Sequence, residues 1–266
     1  YLLISIKNLK EIIFLGYFTP VNNLASTDSP LGESPSFPLE FLQCPQCSLG
    51  QISFEVDQNV LFPYSYPYLS GSTKILHENF RELAVKAKNL VKDKAKRVVV
   101  DIGSNDGTLL SAFKSEGFDV IGVEPTQAAK KANANDIFTI NKYFNNKVVG
   151  EIIDNYGKPT IITAANVFAH INEPKTLMNS ISELLDVNGI FISESHYLSD
   201  LVQTLQYDTI YHEHLRYYTL KSLQILLDGF EFEVFKVEKI NGKLPKIATK
   251  TQAKVEKRKV SCKFNR

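Results

Sequence analysis

The feature that most constrains the fold is the run Val98-Val99-Val100-Asp101-Ile102, which leads into a turn rich in glycine and polar residues. The β-branched run predicts a buried parallel strand, and the apolar periodicity after the turn predicts a helix through about residue 116. Ligands of open α/β sheets bind at such turns, where glycine lets the backbone come close. An acid, Asp101, lies at the strand end, and the spacing Gly103-x-x-x-Gly107 differs from the G-x-G-x-x-G of nicotinamide-binding turns.

A second predicted strand, residues 118–123, ends at Glu124, twenty-one positions after Gly103. A carboxylate there is suited to accept from both hydroxyls of an adenosine ribose. The alternative interpretation is a plain βαβ turn that binds no ligand. The acid-x-G-x-x-x-G form resembles the first motif of class I S-adenosylmethionine-dependent methyltransferases, with Asn105 where a middle glycine is common. This resemblance implies S-adenosylmethionine as the cofactor. The residues expected to bind it are Asp101, Gly103, Ser104, Asn105, Gly107, Glu124, Pro125 and Asn166.

The alternation of predicted elements indicates the fold class. Predicted helices at 73–91, 126–135, 147–155, 173–185 and 220–227 alternate with predicted strands at 118–123, 137–140, 160–165, 189–193 and 230–237. This order predicts an α/β fold, a Rossmann-like doubly wound sheet of the class I methyltransferase type. We expect a small loop-rich, zinc-ribbon-like segment at 1–70, with irregular structure over 17–41, a methyltransferase domain at 71–240 and a disordered or non-native basic tail at 241–266.

Composition excludes several classes of function. A net charge of +1 argues against a nucleic-acid polymer or an anionic membrane as a partner. The longest apolar stretch, residues 1–18, contains Lys7, Lys10 and Glu11, so it predicts neither a transmembrane helix nor a signal peptide. Three cysteines make no disulfide framework, so we expect a cytoplasmic protein, and a monomer. Because the chain starts at Tyr1 and its single methionine is Met178, we expect an N-terminal piece to be missing.

The pair Cys44-x-x-Cys47 is a candidate metal site. A C-x-x-C turn places two thiolates together, which suits half of a tetrahedral zinc site. No second pair exists in the sequence, and Cys262 is too distant to be a convincing partner. Zinc at an incomplete site and a metal-free reduced pair therefore both remain open.

Two further stretches carry chemistry. Residues 61–72 hold three tyrosines in five positions, including Tyr66 and Tyr68, and prolines keep the stretch extended. It is a candidate binding loop, the alternative being tyrosines that pack over a core. Residues 207–218 contain His212-Glu213-His214, which lacks the i, i+4 spacing of a zinc protease but suits proton transfer. The alternative is a polar surface cluster, and the residues alone do not choose between the two histidines.

Taken together, these stretches resemble one family, the S-adenosylmethionine-dependent C-methyltransferases of deoxysugar biosynthesis, over about residues 12–240. The matching strings are Leu15-Gly16…Pro20, Cys44-x-x-Cys47…Gly50-Gln51, Tyr66-Pro67-Tyr68-x-Ser70-Gly71-x-Thr73, Asp101-Ile102-Gly103-Ser104-Asn105-Asp106-Gly107-Thr108-Leu109-Leu110, Gly122-Val123-Glu124-Pro125, Asn166-Val167-x-Ala169-His170 and Asp208-Thr209-Ile210-Tyr211-His212-Glu213-His214-x-x-Tyr217. The resemblance implies methylation, through an enolate, of the carbon beside the ketone of a nucleotide-linked 4-keto-deoxysugar.

The same resemblance implies roles for individual residues. His214 would be the base, with Glu213 and Tyr211 supporting it, while His170 and a tyrosine of the pair Tyr66 and Tyr68 would contact the sugar or its enolate. His77 and His196 receive no role.

The chain departs from the family at both ends. The first of the family's two zinc-binding C-x-x-C pairs would fall at or before residue 1, and Asn241-Gly242-Lys243-Leu244-Pro245 replaces its Gly-Gly-Ser-x-Arg strand. We therefore expect a chain trimmed at both ends. An O- or N-methyltransferase for another small molecule, and a catalytically incomplete fragment that binds the cofactor, stay open as alternatives.

Overall fold

The computed structural model describes residues 9–23 and 34–239, together with the backbone of residues 249–250 and 258–265. Its larger sheet is built on five parallel strands in the order β8-β7-β4-β5-β6. Their bounds are β4 Val98–Ile102, β5 Asp119–Val123, β6 Thr139–Ile140, β7 Ile161–Ala165 and β8 Ile190–His196. The strand order reverses between β4 and β7, so the carboxyl ends of these two strands form the crevice where doubly wound sheets bind ligands.

Helices cover both faces of this sheet. They are α1 Gln58–Leu61, α2 Lys74–Leu90, α3 Thr108–Ser115, α4 Ala128–Ala134, α5 Asn146–Tyr156, α6 Pro174–Leu184, α7 Leu198–Gln203 and α8 Leu220–Asp228. The predicted helices and strands between residues 73 and 237 agree with the structure to within three residues at each end. The short helix α7 was not predicted. The predicted α/β doubly wound fold is confirmed.

Alternation along β4 explains why the strand is apolar throughout. All five of its residues are buried. Val98, Val100 and Ile102 belong to the core on one face of the sheet, with α5, α6 and α8, whereas Val99 belongs to the core on the other face, with α2 and α3. A strand that is covered on both faces has no position for a solvated side chain, which makes the buried Asp101 an exception that requires a functional or electrostatic reason.

A second, smaller sheet has the order β1-β2-β3-β9, with bounds β1 Lys10–Phe18, β2 Phe37–Gln43, β3 Gly50–Ile52 and β9 Arg216–Tyr217. The expectation of irregular structure over residues 17–41 is wrong at both ends, because β1 and β2 pair antiparallel and Pro38 lies within the ladder opposite Tyr17. In β2, cross-strand pairing with β1 outweighs the local preference of proline for irregular structure. The small sheet is also not confined to residues 1–70, since β9 comes from the segment after His214.

The expected disordered tail also differs from the structure. Strand β10, Phe232–Lys239, pairs parallel with β12, Arg258–Asn265, which in turn pairs parallel with β8, and β11, Thr249–Lys250, lies antiparallel beside them. The sequence at 260–264 alternates apolar and polar residues, a period that favours a strand despite the high positive charge. The string at 241–245 lies outside the described residues.

Among the described residues, no helix is long and apolar enough to cross a membrane.

Candidate active site

The turn after β4 packs closely against neighbouring side chains at both of its glycines. Gly103 has φ +69°, and a Cβ built there would lie 2.6 Å from Cγ2 of Val167. Gly107 has φ +79°, and its Cβ would lie 3.0 Å from Cγ2 of Ile137, so this glycine allows α3 to pack against the residues before β6. Asn105 also adopts a left-handed conformation, with φ 51°, which asparagine tolerates better than most residues.

Glu124 is held directly over this turn. Its side chain is buried, and its two oxygens accept from the backbone N–H groups of Asn105, at 3.0 Å, and Thr126, at 2.9 Å. Each carboxylate oxygen has a second lone pair, so the group can still accept from two hydroxyls. Pro125 follows it and is half-buried. The backbone N–H of Ser104 donates to the backbone carbonyl of Val123, and the side chain of Ser104 packs against Gly122. Ser104 therefore contributes backbone, and not its hydroxyl, to the turn.

Asp101 lies at the switch point of the sheet, beside β7. Its carboxyl accepts a 2.6 Å hydrogen bond from the hydroxyl of Thr163 and is otherwise enclosed, with 3% exposure. Burial raises the pKa of Asp101, the Thr163 hydroxyl opposes that shift and the nearby Glu124 adds to it, and the resulting pKa is about 7. Asn166 follows the end of β7, has φ 59° and donates its backbone N–H to the backbone carbonyl of Glu194.

The loop at residues 64–71 is bound to the turn after β4. The N–H of Ser70 donates to Oδ1 of Asn105 at 2.8 Å, and the N–H of Gly71 donates to Oδ2 of Asp106 at 2.9 Å. The side-chain amide of Asn105 donates in return to the carbonyl of Tyr68. The tyrosine-rich stretch is therefore a loop over the predicted cofactor turn, and Tyr68 itself is 44% exposed.

The same loop reaches the His212-Glu213-His214 segment. The hydroxyl of Tyr66 donates to Oε2 of Glu213 at 2.8 Å, and the side-chain amide of Asn22 donates to Oε1 at 2.7 Å. Burial raises the pKa of Glu213, which its two donors partly oppose. Burial, with the charge of Glu213, also raises the pKa of Tyr66, so that phenol stays protonated.

His214 is the centre of a cluster of rings. It is 4% exposed, and its ring centroid lies 5.0 Å from that of His170, 4.6 Å from that of His196 and 4.1 Å from that of Tyr211. Burial lowers the pKa of His214 well below its usual value, and the neighbouring histidines lower it further. Burial also lowers the pKa of His170, and lowers that of His196 to about 4. These imidazoles are neutral near pH 7, so they can accept protons.

His170 and His212 occupy different surroundings. Nδ1 of His170 lies 2.6 Å from the backbone carbonyl of Glu213, which can only accept, so Nδ1 carries the proton there. His212 is directed toward β2 instead: its Nε2 lies 3.3 Å from the carbonyl of Pro38, and its ring packs edge-on to Phe37. The two histidines that the sequence could not rank therefore lie in separate environments.

Cys44 and Cys47 are buried together on one turn, where the N–H of Cys47 points at Sγ of Cys44 at 3.5 Å. Within residues 9–23 and 34–239, no group of three or more His, Cys, Asp or Glu side chains is arranged to hold a metal ion. Two thiols do not fit a tetrahedral zinc site by themselves.

Two residues of this site were missed by sequence reasoning. His196 lies at the carboxyl end of β8, and its position at the end of a predicted parallel strand was the signal that could have indicated it. Asn22 lies 191 positions from Glu213, and no local pattern indicates that contact.

Comparison with known proteins identifies the family. Residues 75–237 match the family model described as Methyltransferase domain. The chain belongs to this methyltransferase family. The predicted methyltransferase family is thereby confirmed.

Individual proteins resemble the chain to different extents. The C-methyltransferase NovU of Streptomyces niveus is 30% identical over 228 residues, which is 85% of this chain and 54% of that protein. The chain thus spans about half the length of this relative. Among solved structures, the plantazolicin methyltransferase BpumL in complex with SAH is 15% identical, with a TM-score of 0.49 over 62% of this chain and 69% of that one. A SAM-dependent methyltransferase from Archaeoglobus fulgidus is 20% identical, with a TM-score of 0.48 over 63% and 77%.

Proposed function

We propose that this methyltransferase uses S-adenosylmethionine to methylate the carbon next to the ketone of a nucleotide-linked 4-keto-deoxysugar, through an enolate. The observation that carries the proposal is the loop at residues 64–71. It binds the turn after β4 on one side and, through Tyr66, the Glu213 carboxylate on the other. A methyl-donor site and a set of proton-transfer groups are therefore neighbours, as C-methylation requires.

The residues after β4 and β5 fit the proposed cofactor. Glu124 would accept from the ribose hydroxyls with the lone pairs that the backbone leaves available, and the turn at Gly103 and Asn105 would line the nucleoside side. Asp101, whose carboxyl accepts a hydrogen bond from Thr163, would help to fix the position of the turn relative to β7. When bound, S-adenosylmethionine supplies an electrophilic methyl group on a sulfonium.

The remaining residues supply the proton chemistry. A carbon beside a ketone must lose a proton before it can attack a methyl group, which needs a base that is neutral at working pH and donors for the enolate oxygen. His214 is that base in our proposal, with Tyr211 and Glu213 supporting it. Its ring lies beside His170 and Tyr211, whereas the ring of His212 is directed toward β2, and this placement favours His214 over His212. His170 and the phenols of Tyr66 and Tyr68 would contact the sugar or its enolate.

We also propose that the enzyme is a cytoplasmic monomer whose partner is a small nucleotide-linked sugar. The three cysteines, too few for a disulfide framework, support the cytoplasmic location, and the net charge of +1 supports a small-molecule partner over a nucleic acid or a membrane.

The test separates deprotonation from methyl transfer. In deuterated water, a nucleotide-linked 4-keto-deoxysugar should exchange the proton beside its ketone when the protein is present. The His214→Gln variant should lose exchange by about 10²–10⁴-fold, the usual contribution of a general base, while S-adenosylmethionine affinity stays unchanged. The His212→Gln variant should be milder, and Tyr207→Phe, which alters an exposed phenol of the same segment, should match the wild type.

Other outcomes would contradict specific parts of the proposal. Cofactor binding and methylation of an oxygen or nitrogen, without any exchange, would indicate an O- or N-methyltransferase. Cofactor binding with neither exchange nor methylation would indicate the catalytically incomplete fragment.

A further inference from the structure

The hydrogen bonds around His214 fix which of its nitrogens carries the proton. Nδ1 lies 2.9 Å from the backbone carbonyl of Thr209, and the hydroxyl of Tyr217 donates to the same oxygen at 3.0 Å. A carbonyl oxygen can only accept, so Nδ1 of the neutral ring is protonated and Nε2 holds the lone pair. Nε2 lies 2.9 Å from the hydroxyl of Tyr211. The hydroxyl of Tyr211 must therefore donate to His214.

Burial limits what the lone pair of His214 can reach. The imidazole is 4% exposed and is enclosed by the rings of His170, His196, Tyr211 and Tyr217. Its single acceptor nitrogen is already occupied by the phenol of Tyr211. In this arrangement a substrate carbon cannot come within reach of Nε2 unless Tyr211 is displaced.

Tyr211 is less enclosed than His214. Its side chain is half-buried, and the charges of Glu213 and Tyr68 act on its phenol. Tyr66, which donates to Glu213, is close enough to Tyr211 for the two phenols to interact electrostatically. The hydroxyl of Tyr211 contacts the buried imidazole directly, at Nε2 of His214.

We infer that Tyr211 takes the proton from the substrate and passes its own to His214, which refines the proposed role of His214 as the base: His214 accepts the proton through Tyr211 and not directly from carbon. This inference rests on the proposed enolate chemistry. The C–H bond beside the ketone breaks, and its proton forms a new O–H bond on Tyr211 while its electron pair enters the enolate. In the same step the original O–H bond of Tyr211 breaks and its proton bonds to Nε2 of His214. Tyr211 ends neutral, and the imidazolium of His214 balances the charge of the enolate.

One contact of His214 favours this role. The carbonyl of Thr209 accepts from Nδ1 and directs the negative end of its dipole at the ring, which offsets part of the burial that lowers the pKa of His214. Because Tyr211 never becomes a free phenolate, its high pKa is no obstacle to the transfer. His214 is thus a positioning and proton-accepting residue that acts through Tyr211.

The experiment measures release of tritium from a nucleotide-linked 4-keto-deoxysugar labelled beside its ketone. We expect Tyr211→Phe and His214→Gln each to lower release by about 10²–10⁴-fold, and the double variant to be no slower than either single variant, because both changes break one relay. Tyr207→Phe, which alters a 71% exposed phenol of the same segment, is the matched control and should match the wild type. Titration with S-adenosylmethionine should give the same affinity for all four variants.

A solvent isotope effect provides a readout that misfolding would not mimic. The proton of the Tyr211 hydroxyl exchanges with solvent, so tritium release by the wild type should be slower in deuterated water. The residual release by Tyr211→Phe should lose that isotope effect. Release by Tyr211→Phe within a few-fold of the wild type, with His214→Gln inactive, would overturn the inference and make His214 the direct base. If the losses of tritium release from Tyr211→Phe and His214→Gln added up in the double variant, the relay would be overturned as well. Failure of the proposed function itself is distinct, since the wild type would then release no tritium.

Discussion

The buried carboxyl of Asp101 makes a specific prediction about stability. Because burial raises its pKa to about 7, the folded protein holds this proton up to near-neutral pH, whereas the unfolded chain releases it near pH 3.8. Between these two values the folded state binds one more proton than the unfolded state. The contribution of Asp101 to the free energy of unfolding is therefore fully present below about pH 4 and is lost as pH rises through about 7.

The magnitude follows from the width of this window. Each pH unit between the two pKa values lowers the free energy of unfolding by about 1.4 kcal/mol, so the total loss approaches about 4 kcal/mol. Asp101→Asn keeps the shape and an oxygen that can accept from the Thr163 hydroxyl, but it does not titrate. The free energy of unfolding of the variant minus that of the wild type should therefore rise by about 4 kcal/mol from pH 4 to pH 7 and stay level above it.

Urea titrations of both proteins at pH values from 4 to 8.5 would measure this difference. Titrating groups remote from Asp101 cancel in the subtraction. Asp119→Asn, which removes a carboxylate at an exposed position of the neighbouring strand β5, is the matched control, and its difference should lack the rise of about 4 kcal/mol. Parallel stability curves for Asp101→Asn and the wild type would refute the assignment of a proton to this buried carboxyl in the folded state.

Three further predictions concern the cofactor, the turn and the metal. Glu124→Gln should weaken S-adenosylmethionine binding by about 1–3 kcal/mol in a calorimetric titration, and unchanged affinity would remove Glu124 from the site. Gly103→Ala should lower the free energy of unfolding more than Gly117→Ala. Both residues have positive φ, which costs a residue with a side chain about 1–2 kcal/mol, but only at Gly103 would the added Cβ also lie 2.6 Å from Val167. Equal losses of stability in the two variants would show that this contact relaxes freely. Cys44 and Cys47 alone should bind zinc weakly or not at all, and one tightly held zinc per chain in elemental analysis would contradict this.

Local sequence patterns were sufficient for the parallel sheet and the turn that organises it. The β-branched run, which is buried on both faces, and Gly103 lie within a few residues of the turn, so their pattern is visible in the linear sequence. Glu124 is further along the chain, but it ends the next strand, and that position could also be read from the sequence. The same holds for α2, whose buried positions repeat with the helical period. The sequence did not predict strands β1 and β2, because each is stabilised by pairing with a strand that is distant along the chain. That pairing outweighed the local preference of proline for irregular structure.

The site depends on contacts that no local pattern encodes. The sequence by itself selected His214, Glu213 and Tyr66 as chemically active residue types, but the bond from Tyr66 to Glu213 spans 147 positions. Only the packing of β8 beside the His212-Glu213-His214 segment brings His196 next to His214 and makes the pair a buried, neutral cluster. Residue type determines which chemistry is available, whereas burial and hydrogen-bond partners determine protonation. Those two quantities depend on neighbours that are adjacent in space and remote in sequence, so tertiary structure decided them.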